Sequence, residues 1–196
     1  MLEDVPADLL DQLHRRHSEP QRHYHDWSHI EALLRLAQSV AELLHDAEAV
    51  RYAILFHDSI YDPKAKDNEL RSAELLVESA PPIATASLEL ARRMIEATDG
   101  HMLPGELPDE QQADCAHFLD MDLAILGADE VRFDIYEDQI RREYAHVPDD
   151  AFRTGRAAVL RHFAEREVLY FSPWGVQRFE QAARANLARS LEKLGA

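Results

Sequence analysis

Leu55-Phe56-His57-Asp58 closes the apolar stretch Ala47–Phe56 (AEAVRYAILF), and its reading decides the fold. The stretch reads as a helix that runs without a break into two adjacent residues of metal-ligand type. Successive helical residues point about 100° apart, so His57 and Asp58 can both reach one ion lying off the helix end. That end carries the negative pole of the helix dipole, which favours a cation. A charge delivered into an apolar interior also needs a partner or an ion. An ordinary helix stop, with Asp58 and Ser59 opening a turn, produces the same letters, and two-residue motifs are common by chance.

Length and composition bound the problem around this point. A chain of 196 residues suits one domain and buries roughly 70% of its unfolded surface. Six Gly, nine Pro and 46% hydrophobic residues describe a folded chain rather than a disordered or fibrous one. The net charge of −16 repels nucleic-acid backbone and anionic membrane, so neither is expected as a partner. A small phosphorylated substrate stays compatible, because a local metal ion outweighs distant surface charge. The single cysteine, Cys115, excludes an internal disulfide and fits a reducing compartment. No apolar run approaches membrane-span length, and MLEDVPADLL lacks the basic and apolar regions of a leader. The expected location is the cytoplasm.

The rest of the chain reads as helix after helix, without a convincing alternating strand. Asp4 to His17 places Val5, Leu9, Leu10 and Leu13 on one face. Asp26 is the expected N-cap of a helix whose apolar positions run from Ile30 to Leu43 and Leu44. His29 falls in its first turn, where the positive end of the dipole suits a neutral imidazole. Asp46 is the expected cap of the helix ending at His57-Asp58. Asp67 is placed as the N-cap of a helix stopped by Pro81-Pro82, and Thr85 starts the next, with Gly100 as its C′ residue. A helix from Glu110 to Met121 brings Asp120 and Asp122 just before Leu123–Gly127. Two more are expected over Glu130–Ala145 and Asp149–Arg166, and Ser172-Pro173 starts the last. The architecture predicted is all-α, one helical domain over residues 1–196 with about nine helices, its C-terminal helices spanning 130–194.

His29, His57, Asp58 and Asp122 thus lie on three helices, each near a terminus beside apolar sequence. Two imidazoles and two carboxylates suit one divalent ion, Mn²⁺, Fe²⁺, Co²⁺, Zn²⁺ or Mg²⁺, with positions left for water. Four unrelated polar helix ends would look the same by residue type alone.

The order and spacing carry a resemblance that separates the two. His25-Asp26-Trp27-Ser28-His29-Ile30, Leu55-Phe56-His57-Asp58, Asn68-Glu69-x-x-Ser72-Ala73 and Asp120-Met121-Asp122-Leu123 resemble the HD superfamily of metal-dependent phosphohydrolases. Its H…HD…D order sits on an all-helical core, and the motifs here fall within residues 22–127. The resemblance implies that His29 supplies the first histidine, His57 and Asp58 the doublet, and Asp122 the last aspartate. Asp120 competes for that last place; the run Leu123–Gly127 favours Asp122. Ile140-Arg141-Arg142-Glu143-Tyr144, Gly155-Arg156-x-x-Val159-Leu160 and Ala183-Arg184-x-Asn186-Leu187 resemble a bacterial subgroup of predicted HD hydrolases without a settled substrate.

What the resemblance implies is hydrolysis of a phosphomonoester, with a nucleotide as one candidate. The ion would polarise a phosphoryl oxygen and lower the pKa of water. Asp58 would hold the water through its second oxygen, and Glu69 would act as general base or orient the water. Arg22, His25, Lys64 and Lys66 are the candidate phosphate contacts, although a surface lysine is more often simply solvated. HD enzymes with two metals carry further histidines between the doublet and the last aspartate. Only His101 and His117 fall in that interval. His117 reads as a core or surface histidine, and His101, in a loop, as a substrate contact or second-metal ligand. One metal is therefore expected. An HD-type di-iron oxygenase and a non-catalytic module stapled by metal, binding a nucleotide or a partner, are the alternatives. The stripe Phe133, Tyr136, Ile140 and Tyr144 reads as core or as a partner helix, and a homodimer, if formed, is expected to use the C-terminal half.

Overall fold

The computed structural model describes residues 2–195. Among these the chain forms nine α-helices and two 3₁₀ turns and no strand, the all-α class expected. It divides into two compact units, Met1–Met121 and Asp122–Ala196.

In the first unit, α1 (Ala7–Arg16) starts only after Pro6, three residues later than the apolar pattern suggested, and buries Leu9 and Leu13. Helix α2 (Trp27–Ser39) is capped as expected, Asp26 Oδ1 accepting from Ser28 N at 2.9 Å. It stops short of Leu44. The Ser39 hydroxyl donates to Leu36 O, a local bond that competes with helix continuation. A 3₁₀ turn, Ala41–Leu43, follows and leaves Leu43 half exposed while Val40 is buried.

Helix α3 (Ala47–Phe56) is the buried centre of this unit. Val50, Ile54, Leu55 and Phe56 are wholly covered, each contributing about 1.5–3 kcal/mol by burial. Asp46 Oδ1 accepts from Ala49 N, the expected cap. A second carboxylate supports it: Asp114, wholly buried, accepts from His45 N at 2.9 Å and Asp46 N at 2.8 Å. Asp114 lies on α6 (Asp109–Asp122). Between them come α4 (Asn68–Glu78) and α5 (Thr85–Ala97), which pack on one another; α2, α4 and α5 all pack against α3. Asp67 occupies the N-cap position of α4 but makes no capping bond, contrary to expectation. Gly100, after α5, has φ +81°, the left-handed turn that glycine tolerates without strain.

The second unit comprises a 3₁₀ turn (Leu123–Gly127), α7 (Glu130–Glu143), α8 (Asp149–Ala164) and α9 (Pro173–Leu194). Ser172 Oγ accepts from Gly175 N, and Pro173 opens α9. Phe133, Tyr136 and Ile140 of the expected stripe are buried, whereas Tyr144, the residue on which α7 is capped, is half-buried. The motifs of this half are braces. Arg184 donates to Ala164 O and Arg166 O, Arg141 to Tyr144 O and Val147 O, and Arg156 pairs with Glu137. Asn186 Nδ2 donates to Leu126 O and Ala128 O, both at 2.9 Å, and Tyr170 Oη to Leu123 O at 2.9 Å. These bonds hold the turn that begins immediately after Asp122. No helix among the described residues is long and apolar enough to cross a membrane.

Candidate metal centre

Three helix ends supply the site. His29 stands in the first turn of α2, His57 is the residue on which α3 ends, and Asp122 is the last residue of α6. One ligand atom from each lies within 4.8 Å of the other two, so the group could hold a metal ion. Asp122, not Asp120, joins it, as preferred from the run that follows.

Asp58 faces the same imidazoles. His29 Nε2 and His57 Nε2 are 3.1 Å apart, and Asp58 Oδ2 lies 3.0 Å from His57 Nε2 and 3.7 Å from His29 Nε2. Atoms sharing one ion with bonds of about 2.1 Å stand about 3.0 Å apart in an octahedral set and about 3.4 Å in a tetrahedral one. Two edges of the triangle match these values, and the third, His29 to Asp58 at 3.7 Å, is longer. The electrostatics of the triangle point the same way. His57 Nδ1 lies 2.9 Å from Ile54 O; a carbonyl only accepts, so Nδ1 carries the hydrogen. In the neutral ring this leaves a lone pair on Nε2, opposite a carboxylate oxygen. Such a meeting is favourable only with positive charge between the atoms, either a proton on the ring or a cation. The donor to Ile54 also fixes the ring, the outer-sphere arrangement typical of ligating histidines.

Burial alone would raise the Asp58 carboxyl, but the charges of His57, His25 and His29 outweigh it and hold the group well below the usual carboxylate range. Asp58 is thus ready as a carboxylate donor. His29 and His57 are almost wholly covered, whereas about a fifth of the Asp58 side chain is exposed, so the carboxylate is the edge of the cluster that meets solvent.

No protein-family model, no curated protein and no solved structure matches the chain. The site is accordingly characterised by its own geometry.

The other expected site residues separate. His25 belongs beside the cluster: its ring is 6.0 Å from that of His29 and 4.4 Å from Tyr61, and its charge acts on Asp58. Glu69, half-buried, stands in the first turn of α4, and Lys64 is exposed in the loop before it. His101 lies in the turn after α5 with φ +50°, half-buried, outside the group that could hold an ion. His117 is a core histidine, as expected, and burial lowers its pKa. Arg22 departs from expectation. Its side chain is wholly buried and bonded to Glu19 and to the carbonyls of His25, Asp58 and Ser59, which removes it from the set of available phosphate contacts.

Three supporting elements had no functional reading in the sequence. Ser72 Oγ accepts from Ile60 N, and Asn68 exchanges bonds with Asp62, accepting from its N at 3.0 Å and donating to its O at 2.9 Å. Asn and Ser one turn apart at the start of α4 thus hold the loop leaving the doublet; their spacing was the available signal. His17, at the end of α1, is buried against the edge of Trp27 and bonded through Nδ1 to Leu13 O, and burial pushes it down to about 4.

Proposed function

We propose that this chain is a metal-dependent phosphohydrolase acting on a phosphomonoester, a nucleotide being one candidate class, in the cytoplasm. One observation carries the reading: two imidazole Nε2 atoms lie 3.1 Å apart with Asp58 Oδ2 at 3.0 and 3.7 Å from them, and the same two histidines group with Asp122 within 4.8 Å. His29, His57, Asp58 and Asp122 would hold one divalent ion, Mn²⁺, Fe²⁺, Co²⁺, Zn²⁺ or Mg²⁺. Bound there, such an ion supplies Lewis acidity toward a phosphoryl oxygen and a water nucleophile at neutral pH. The residues do the rest. Asp58, partly open to solvent, orients the attacking water through its second oxygen, and Glu69 accepts its proton. His25, paired with Tyr61 at the edge of the cluster, receives the phosphate together with Lys64 and His101.

The test is metal content per chain by mass spectrometry on wild type and His57→Ala, followed by a phosphomonoester panel with added Mn²⁺. The expected result is about one transition metal per wild-type chain, its loss in the variant, and hydrolysis of a panel member. Failure to take up metal after reconstitution, with no turnover, overturns the proposal. Two irons per chain without hydrolysis would replace it with an oxygenase.

A further inference from the structure

Arg22 is a charged residue sealed inside the first unit, and three of its side-chain bonds run to the frame of the candidate site. Of the five guanidinium N–H groups, Nη1 donates to His25 O at 2.9 Å and to Asp58 O at 2.7 Å, Nη2 to Ser59 O at 3.4 Å and Nε to Glu19 Oε2 at 3.2 Å. One nitrogen therefore joins two peptides that are 33 residues apart in sequence: the one after His25, which leads into the first turn of α2 and His29, and the one after Asp58, in the turn that leaves α3. The guanidinium also lies 5.3 Å from the centre of the Tyr61 ring, which in turn faces His25. A charge buried this deeply is costly unless its donors are engaged; here three bonds go to carbonyls of the two chain segments that carry the ligands and a fourth to the Glu19 carboxylate.

We infer that Arg22 is a positioning residue: its buried guanidinium braces the segment before His29 against the His57-Asp58 turn and so sets the separation of the two imidazoles and the carboxylate. The inference rests on the metal-site reading for its functional meaning and on the hydrogen bonds alone for its structural part. Lysine cannot substitute. It offers one ammonium on a flexible stem, without the planar fork that reaches Glu19 on one side and two carbonyls on the other. The brace also differs in kind from a phosphate contact, which needs an exposed cation and would act on KM.

The test compares wild type with Arg22→Lys in two arms. Amide hydrogen exchange on the metal-free proteins should show residues 57–62 exchanging at least tenfold faster in the variant, with the helical circular dichroism unchanged. Titration with Co²⁺ should show at least a tenfold weaker Kd and an altered visible spectrum, the signature of changed ligand geometry. A folded variant with wild-type Co²⁺ affinity and spectrum overturns the inference. If wild type itself takes no Co²⁺, the metal reading fails and the exchange arm alone decides the brace, unchanged exchange at 57–62 overturning it. If Arg22→Lys does not fold, Glu19→Gln, at a half-exposed partner, removes the counter-charge. About a threefold rise in exchange at 57–62 is then expected, and none overturns the brace.

Discussion

His57 Nε2 stands 3.0 Å from Oδ2 of Asp58, its neighbour in sequence. Adjacent residues within a helix diverge by about 100°; here both residues lie in the turn that follows α3, His57 as its C-cap in helical backbone and Asp58 next after it. The place where a helix stops is here a chemical feature.

Asp58→Ala should abolish both metal binding and turnover. The substitution removes one corner of the triangle and leaves the two imidazoles facing each other at 3.1 Å. Calorimetric titration with Mn²⁺ or Co²⁺ checks it; wild-type affinity in a folded variant removes Asp58 from the ligand set.

Glu69→Gln should leave metal content unchanged and lower kcat by about 10²–10⁴-fold, the range typical of a lost general base. A collapse in metal content instead would make Glu69 a ligand.

The stability curve should slope with pH through His17. Its folded pKa is about 4 against 6.5 for the free residue, so between those values the unfolded chain takes up a proton that the folded one refuses. Stability from this group is complete above pH 6.5 and falls as pH drops toward 4, by up to about 3 kcal/mol. Asp58, held low, contributes stability that is lost below the usual carboxylate range, at still lower pH. Urea denaturation from pH 7 to 4.5 measures the first window, and His17→Phe should flatten it.

Gly127→Ala and Gly155→Ala should move stability in opposite directions. A Cβ on Gly127 would lie 2.6 Å from Phe179 Cβ and 2.8 Å from its carbonyl oxygen, so the backbone of α9 must shift. A loss of about 1–3 kcal/mol follows. Gly155, exposed on α8, has nothing within 4 Å of the corresponding position, and alanine there should add about 0.5–1 kcal/mol of helix stability. Thermal denaturation of the two variants decides both.

Much of this architecture was legible because it is local. Asp26, Asp46 and Ser172 cap the helices they were expected to cap, and the preference for Asp122 over Asp120 agrees with the residue that joins the cluster. What escaped was tertiary. Leu43 and Leu44 continue the apolar period of α2, yet the Ser39 bond to Leu36 ends the helix before them. Asp67 sits where a cap belongs, while Asn68 next to it does the hydrogen bonding. Arg22, in a polar connector, looks like a phosphate contact until the carbonyls of residues 58 and 59 are found around it. No pattern of neighbours along the chain encodes those partners.

Cys115 gives the first unit a reporter of its own opening. The thiol is wholly buried on α6 between Asp114 and Ala116, and burial, reinforced by the Asp114 charge, pushes it up to about 12. At pH 8 only about one molecule in 10⁴ would carry a thiolate, so a thiol reagent should label the native protein only during excursions that uncover α6. Because the chain has one cysteine, the labelling rate counts those excursions without interference. Comparing it with and without divalent metal would then measure how far ligand capture at the far end of α6 quiets the whole helix.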